Sequence, residues 1–129
     1  MKISAKRGFA GEDLAAKYLK DNGFIITERN YHSRFGEIDI IAENEQYILF
    51  VEVKTRVEGA IVSPAEAVDY RKQQKIIMTA NTYLSRSFCE LQPRFDVAQI
   101  TVLTVGGREE YKIDYIENAF APEAADGFF

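Results

Sequence analysis

The sequence predicts a single α/β domain in which a mixed central sheet is flanked by two helices. Three observations carry that reading. Apolar residues recur at helical spacing in two separated stretches, near residues 6–22 and 63–85. Short apolar runs bounded by turn residues fill the rest, as strands do. Neither an internal repeat nor a linker divides the 129 residues, a length that suits one domain with its own core. The expected order is α-β-β-β-α-β-β.

Each element has a local reason. In the first helix Leu14, Ala15, Tyr18 and Leu19 share a face, and Gly23 suits a C-terminal cap. "FIITERN" reads as the first strand. "YHSRFG" leads into a hairpin with strands over 37–43 and 47–55, joined near Asn44 and Glu45. The stretch "RVEGAIVS" is a loop in which Gly59 permits a turn. Ser63 as cap, Pro64 at the first position and Glu66 completing a capping box predict a second helix to about Ser85. Its partly buried residues are expected among Ala67, Ile76, Met78, Ala80, Tyr83 and Leu84. "RFDVAQITVLTV" is a strand, Gly106–Gly107 a turn, and "EEYKIDYIE" an edge-like strand. The domain is expected over 1–119, with 120–129 as a tail that is mobile or docks on a partner.

Composition narrows the function classes. A single cysteine, Cys89, forms no internal disulfide and suggests no exported framework. The N-terminal "MKISAKRGFAGEDLAAKYL" lacks a continuous apolar signal region, and no apolar stretch approaches membrane-spanning length. A cytoplasmic protein with no membrane partner is expected. The net charge of −4 counts mildly against nucleic acid. However, residues 1–107 hold fourteen basic and fourteen acidic residues, and the deficit lies in residues 108–129, with two and six. Binding depends on where positive charge faces, not on its sum.

The segment "RFGEIDIIAENEQYILFVEVKTR" carries the chemistry. In an antiparallel hairpin the start of one strand lies beside the end of the next, so residues 37–39 can meet residues 52–54. Period two puts Glu52 and Lys54 on one face, as it does Glu37 and Asp39. A one-residue slip or bulge changes which acid points at Glu52, so the register stays open. Asp39 lies deeper in the apolar run and is preferred; Glu37 is either a helper or an exposed strand residue. Neighbouring carboxylates repel unless a cation neutralises them, and a hard ion such as Mg²⁺ accepts oxygen donors of this kind. Lys54 would orient or deprotonate an attacking water, or stabilise charge on a phosphate. The structural alternative is a Glu52–Lys54 pair with Asp39 facing solvent.

The segments "GFAGEDLAAKYLKDNGF", "RNYHSRFGEIDIIA", "FVEVKTR", "AVDYRKQQKI" and "RFDVAQI" resemble, in consistent order over about residues 7–105, the YraN-type family of small bacterial proteins. That family is similar to archaeal Holliday junction resolvases and to the PD-(D/E)XK nuclease superfamily. The resemblance implies a restriction-endonuclease-like core, with Glu12 matching the helix acid, Asp39 the strand Asp, and Glu52 and Lys54 the E-x-K pair. Ile38 stands where the motif name has Pro, a position that shapes backbone and supplies no ligand. Glu12, Asp39 and Glu52 are the implied ligands of Mg²⁺ or Mn²⁺. Lys72 and Gln73 match the family's "K-Q" segment and would reach phosphate or support the site, unless they are plain exposed helix residues.

Arg34, Arg56, Arg71 and Lys75 join Lys72 and Gln73 as candidate contacts to a nucleic-acid backbone, which would position DNA without reading its bases. Tyr31 is expected in the core and His32 on the surface. Asp96 is expected to pair with Arg94 or cap the backbone. Neither Gly106–Gly107 nor Cys89 has the setting of a phosphate loop or a nucleophile. The expected function is therefore a metal-dependent DNA endonuclease, with branched recombination or repair DNA as substrate and a homodimer implied by the likeness to resolvases. The rivals are a non-catalytic nucleic-acid-binding protein of the same fold, and an interaction module whose acidic tail docks on an unidentified protein partner.

Overall fold

The computed structural model describes residues 5–60, 68–86 and 88–122, and the following account is of those residues. Helix α1 spans Ala5–Asp21, strand β1 Ile25–Ser33, β2 Gly36–Glu43 and β3 Tyr47–Val57. Helix α2 spans Tyr70–Leu84, β4 Gln92–Val105 and β5 Arg108–Phe120. The expected order of elements is found. The strands form one sheet in the order β1-β2-β3-β4-β5. It is mixed because β3 and β4 run parallel while the other neighbours are antiparallel. The α2 crossover makes that parallel pair possible.

The helices cover opposite faces of the sheet. Ala15, Ala16 and Leu19 of α1 pack with Ile40, Ala42, Leu49, Val51 and Ala98. Ile76, Ile77 and Ala80 of α2 pack with Ile38, Ile41, Ile48, Phe50 and Phe95 on the other side. Central strands β2 and β3 therefore read as continuous apolar runs, being covered on both faces. Gly11 lets α1 approach β3, since a Cβ there would collide with Thr55 Oγ1. The helix ends as its sequence predicts. Gly23 takes φ +87°, and Phe24 N donates to Leu19 O at 2.9 Å while Gly23 N donates to Lys20 O at 3.1 Å.

One expectation falls outside the described residues, and two change. Ser63, Pro64, Glu66 and Ala67 lie outside the described residues, and the helix described opens at Asp69, whose side chain accepts Lys72 N at 2.8 Å. Within α2, Ile77 is buried and Met78 is exposed, because the buried stripe runs through Ile76, Ile77 and Ala80. At the other end β5 continues through Phe120, where the tail was expected to begin, and Phe120 stacks on Phe95 with ring centroids 5.2 Å apart. Residues 123–129 lie outside the described residues.

The feature that makes room for a site is a fork. The β2–β3 ladder runs from Glu43↔Ile48 to Ile40↔Val51 and stops there. Beyond it, β2 stays with β1 as far as Ser33↔Gly36, and β3 stays with β4 as far as Val57↔Val102.

Candidate functional site

Asp39 is the first β2 residue past the end of the β2–β3 ladder. Its Oδ2 accepts the Val53 backbone N–H at 2.8 Å, so a side chain takes a β3 donor at the point where the ladder ends. Glu52 is adjacent on β3, only 5 % exposed, on the face covered by α2. Of the two acids that open β2, Asp39 is the one coupled to Glu52. Glu37 is exposed and lies beside His32, with Oε2 to Nδ1 at 3.4 Å.

Burial of the Asp39 carboxyl, followed by repulsion from Glu52, pushes its pKa up to about 7. The Val53 N–H and the Lys72 ammonium oppose the rise, and Glu12 adds to it. Lys72 reaches down from the first turn of α2 and places Nζ 2.7 Å from Glu52 Oε1. Burial works to discharge that ammonium, but the hydrogen bond and charge of Glu52 outweigh it. With Asp39 and Glu37 adding to the field, Lys72 is held above its ordinary pKa.

Glu12 reaches the same neighbourhood from α1 and is itself buried. Its Oε1 accepts Arg29 Nε at 3.0 Å and Asn30 Nδ2 at 3.1 Å. Asn30 lies between the ladder pairs Arg29↔Ile40 and Tyr31↔Ile38, which sets it across from Asp39, and it takes φ +54°. Asparagine tolerates that left-handed backbone better than most residues. The sequence reading assigned Asn30 no part. The only local signal was an Asn inside a strand-like run.

Lys54 follows Glu52 on the same face by strand periodicity. It is half-buried and makes no hydrogen bond or ion pair among the described residues. The other predicted residues divide. Arg56, Arg71 and Lys75 are exposed. Arg34 lies over the Phe35 ring at 4.8 Å. The Arg34–Gly36 turn packs on α2, with Ser33 Oγ 3.0 Å from Thr79 Oγ1 and Gly36 against Lys75. Gln73 is committed to structure, since its Nε2 donates to Val68 O at 2.9 Å. Asp96, on β4, is taken by Arg94, Tyr115 and the Asn118 backbone N–H.

The donor set suits a hard divalent ion in kind, because Asp39 and Glu52 offer coupled carboxylate oxygens whose repulsion such an ion would relieve. Glu12 is held instead by Arg29 and Asn30. Among the described residues no three acid, His or Cys side chains are already gathered as ligands. Those residues also include no helix long and apolar enough to cross a membrane.

The model of an uncharacterised protein family, UPF0102, matches residues 11–100. The chain belongs to this family. That span holds Glu12, Asp39, Glu52, Lys54, Lys72 and Asp96. A UPF0102 protein of Clostridium botulinum is 44% identical over 115 residues, covering 88% of this chain and 92% of the relative. One from Clostridium acetobutylicum is 44% identical over 120 residues, covering 92% and 97%. One from Alkaliphilus oremlandii is 43% identical over 121 residues, covering 92% of this chain and all of the relative. The UPF0102 match thus takes in α1 from Gly11 onward, the end of the β2–β3 ladder and α2.

Proposed function

We propose that the chain is a Mg²⁺- or Mn²⁺-dependent DNA endonuclease that hydrolyses phosphodiester bonds. The observation that carries this reading is the Asp39–Glu52 pair at the strand fork, with Lys54 next to it and without an ion pair among the described residues. A fold gains no stability from two acids held together in an apolar setting. Acids perturbed in this way are a property of functional sites. A divalent ion there would polarise a phosphate and lower the pKa of water.

The chain's own residues would divide the remaining work. Asp39 and Glu52 would hold the ion. Lys54 would donate to a phosphate oxygen as negative charge grows in the transition state, or take the proton of the attacking water. Glu12 would keep Asn30 and Arg29 in place and add negative potential at Asp39. Arg34, Arg56, Arg71 and Lys75 would hold the backbone at the rim. Water oxygen bonds to phosphorus as the leaving oxygen departs, and the leaving oxygen ends with a proton. Branched DNA is the finer substrate proposed, on the resemblance to junction resolvases, with a homodimer as the assembly that would cut two strands.

A second reading is favoured by one observation. Glu12, Asp39 and Glu52 each already have a protein donor, which also suits a binding protein that does no chemistry. Labelled linear, flap and four-way-junction DNA, incubated with Mg²⁺ or Mn²⁺ and with an EDTA control, separates the two. Cleavage that needs metal and disappears in Asp39→Ala and Lys54→Ala supports the enzyme. Intact DNA in the presence of folded protein and measurable binding overturns it in favour of the binding protein.

A further inference from the structure

Lys72 was expected to reach phosphate or support the site, and it is paired with Glu52. Its backbone N–H is fixed by the Asp69 cap at 2.8 Å, so its stem starts from a set point on the first turn of α2. Nζ then lies 2.7 Å from Glu52 Oε1, and its charge also acts on Asp39. Lys54, the other nearby lysine, makes no ion pair among the described residues. One ammonium therefore offsets two carboxylates.

The contrast with Asp96 shows that this ion pair is of a different kind. Asp96 is fully buried and receives Arg94 Nε at 3.0 Å, Arg94 Nη2 at 2.9 Å, Tyr115 OH at 2.7 Å and Asn118 N at 2.8 Å. Its donors come from a planar guanidinium, a neighbouring strand and the main chain, and none can leave without exposing the others. Glu52 receives a single flexible lysine whose side chain is 45 % exposed. A lysine ammonium is a compact, well-hydrated point charge on a mobile stem, so it can return to water at little cost.

We propose that Lys72 is the resident counter-cation of the Asp39–Glu52 pair and gives up Glu52 when a divalent ion enters. The inference rests on the metal-site reading above. Lys72 is thus a positioning residue. It keeps the acids together before the ion arrives, competes with the ion for Glu52, and on release carries its charge toward the rim where a phosphate backbone would lie.

The test uses the full chain without DNA and compares wild type with Lys72→Met, Lys72→Arg, Glu52→Gln and the Lys72→Met/Glu52→Gln double variant. Thermal unfolding is followed in EDTA and in Mn²⁺, and bound Mn²⁺ is read from the loss of the free-ion paramagnetic resonance signal. In EDTA, Lys72→Met is expected to melt below wild type, and Lys72→Arg close to it. Mn²⁺ is expected to bind Lys72→Met about tenfold more tightly than wild type, the scale of removing one competing charge. Mn²⁺ should also raise the melting temperature of that variant more than that of wild type. With Glu52→Gln present, Lys72→Met should no longer tighten binding. Equal or weaker Mn²⁺ binding by Lys72→Met, with wild type still binding, overturns the counter-cation and leaves the metal site standing. Absence of Mn²⁺ binding in every protein overturns both.

Discussion

Two buried acid sites lie in one sheet, and they are built on opposite terms. At Asp96 the carboxylate is surrounded by donors. Arg94 is held above its ordinary pKa by Asp96 against the effect of burial. The Tyr115 hydroxyl is pushed upward by burial and then by the Asp96 charge, so it stays a donor. At the fork, burial and then repulsion from Glu52 push the Asp39 pKa up to about 7, with one backbone donor opposing the rise. Each site borrows an asparagine in the left-handed region, Asn118 at φ +50° and Asn30 at φ +54°. Asn118 gives its backbone N–H to Asp96, whereas Asn30 gives its side chain to Glu12 and not to Asp39. A satisfied acid network rigidifies a fold, and an unsatisfied one keeps capacity for a ligand.

The strongest break of this comparison is Asp96→Ala. It strands Arg94, the Tyr115 hydroxyl and the Asn118 N–H, and should cost about 3–5 kcal/mol in urea unfolding. A loss no larger than that of an ordinary surface substitution would show that Asp96 is not the structural site described. Next comes Lys54→Ala, which removes no ion pair among the described residues. Unfolding should change by no more than about 0.5 kcal/mol, while metal-dependent DNA cleavage should fall by roughly 10²–10³-fold. A stability loss in place of an activity loss would make Lys54 a structural residue.

Asp39→Asn tests the fork by pH. The folded chain holds the Asp39 proton up to about 7, against an ordinary 3.8. Between those values the folded state binds more protons than the unfolded state. The Asp39 contribution is therefore full below the lower value and is lost as pH rises through the upper one. Asn removes that slope, so at pH 8 the variant should be more stable than wild type by about 1–3 kcal/mol, and at low pH nearly equal. Chemical denaturation across pH measures it, and parallel curves would show that Asp39 is not strained. The smallest effect expected is at the rim. Arg34→Ala or Lys75→Ala should weaken DNA binding evenly across sequences and lower the salt slope by about one unit each. An unchanged slope would remove that residue from the contact surface.

Much of the fold was legible because its signals are local. The Gly23 cap and the Gly106–Gly107 turn, at φ +56° and +79°, each follow from a few neighbouring residues. The hairpin was read from apolar runs either side of Asn44, whose Oδ1 accepts Gln46 N at 2.9 Å and Tyr47 N at 2.7 Å. The Asp69 cap of α2 was not singled out, because Ser63-Pro64, outside the described residues, is as good a start signal in sequence as Asp69. Choosing Met78 over Ile77 followed from the helix phase, which depends on what the helix packs against.

The sequence by itself determined the order of elements, the mixed sheet and the presence of Asp39, Glu52 and Lys54 on one hairpin. Only the tertiary structure decided that the β2–β3 ladder ends at Ile40↔Val51, which sets Asp39 rather than Glu37 against Glu52. It alone placed Lys72 on Glu52, Asn30 on Glu12 and Arg94 on Asp96. The physical reason is range. Caps, turns and periodicity are written in residues a few positions apart, whereas the charge felt by a buried acid is set by whatever the packed helices and neighbouring strands bring to it.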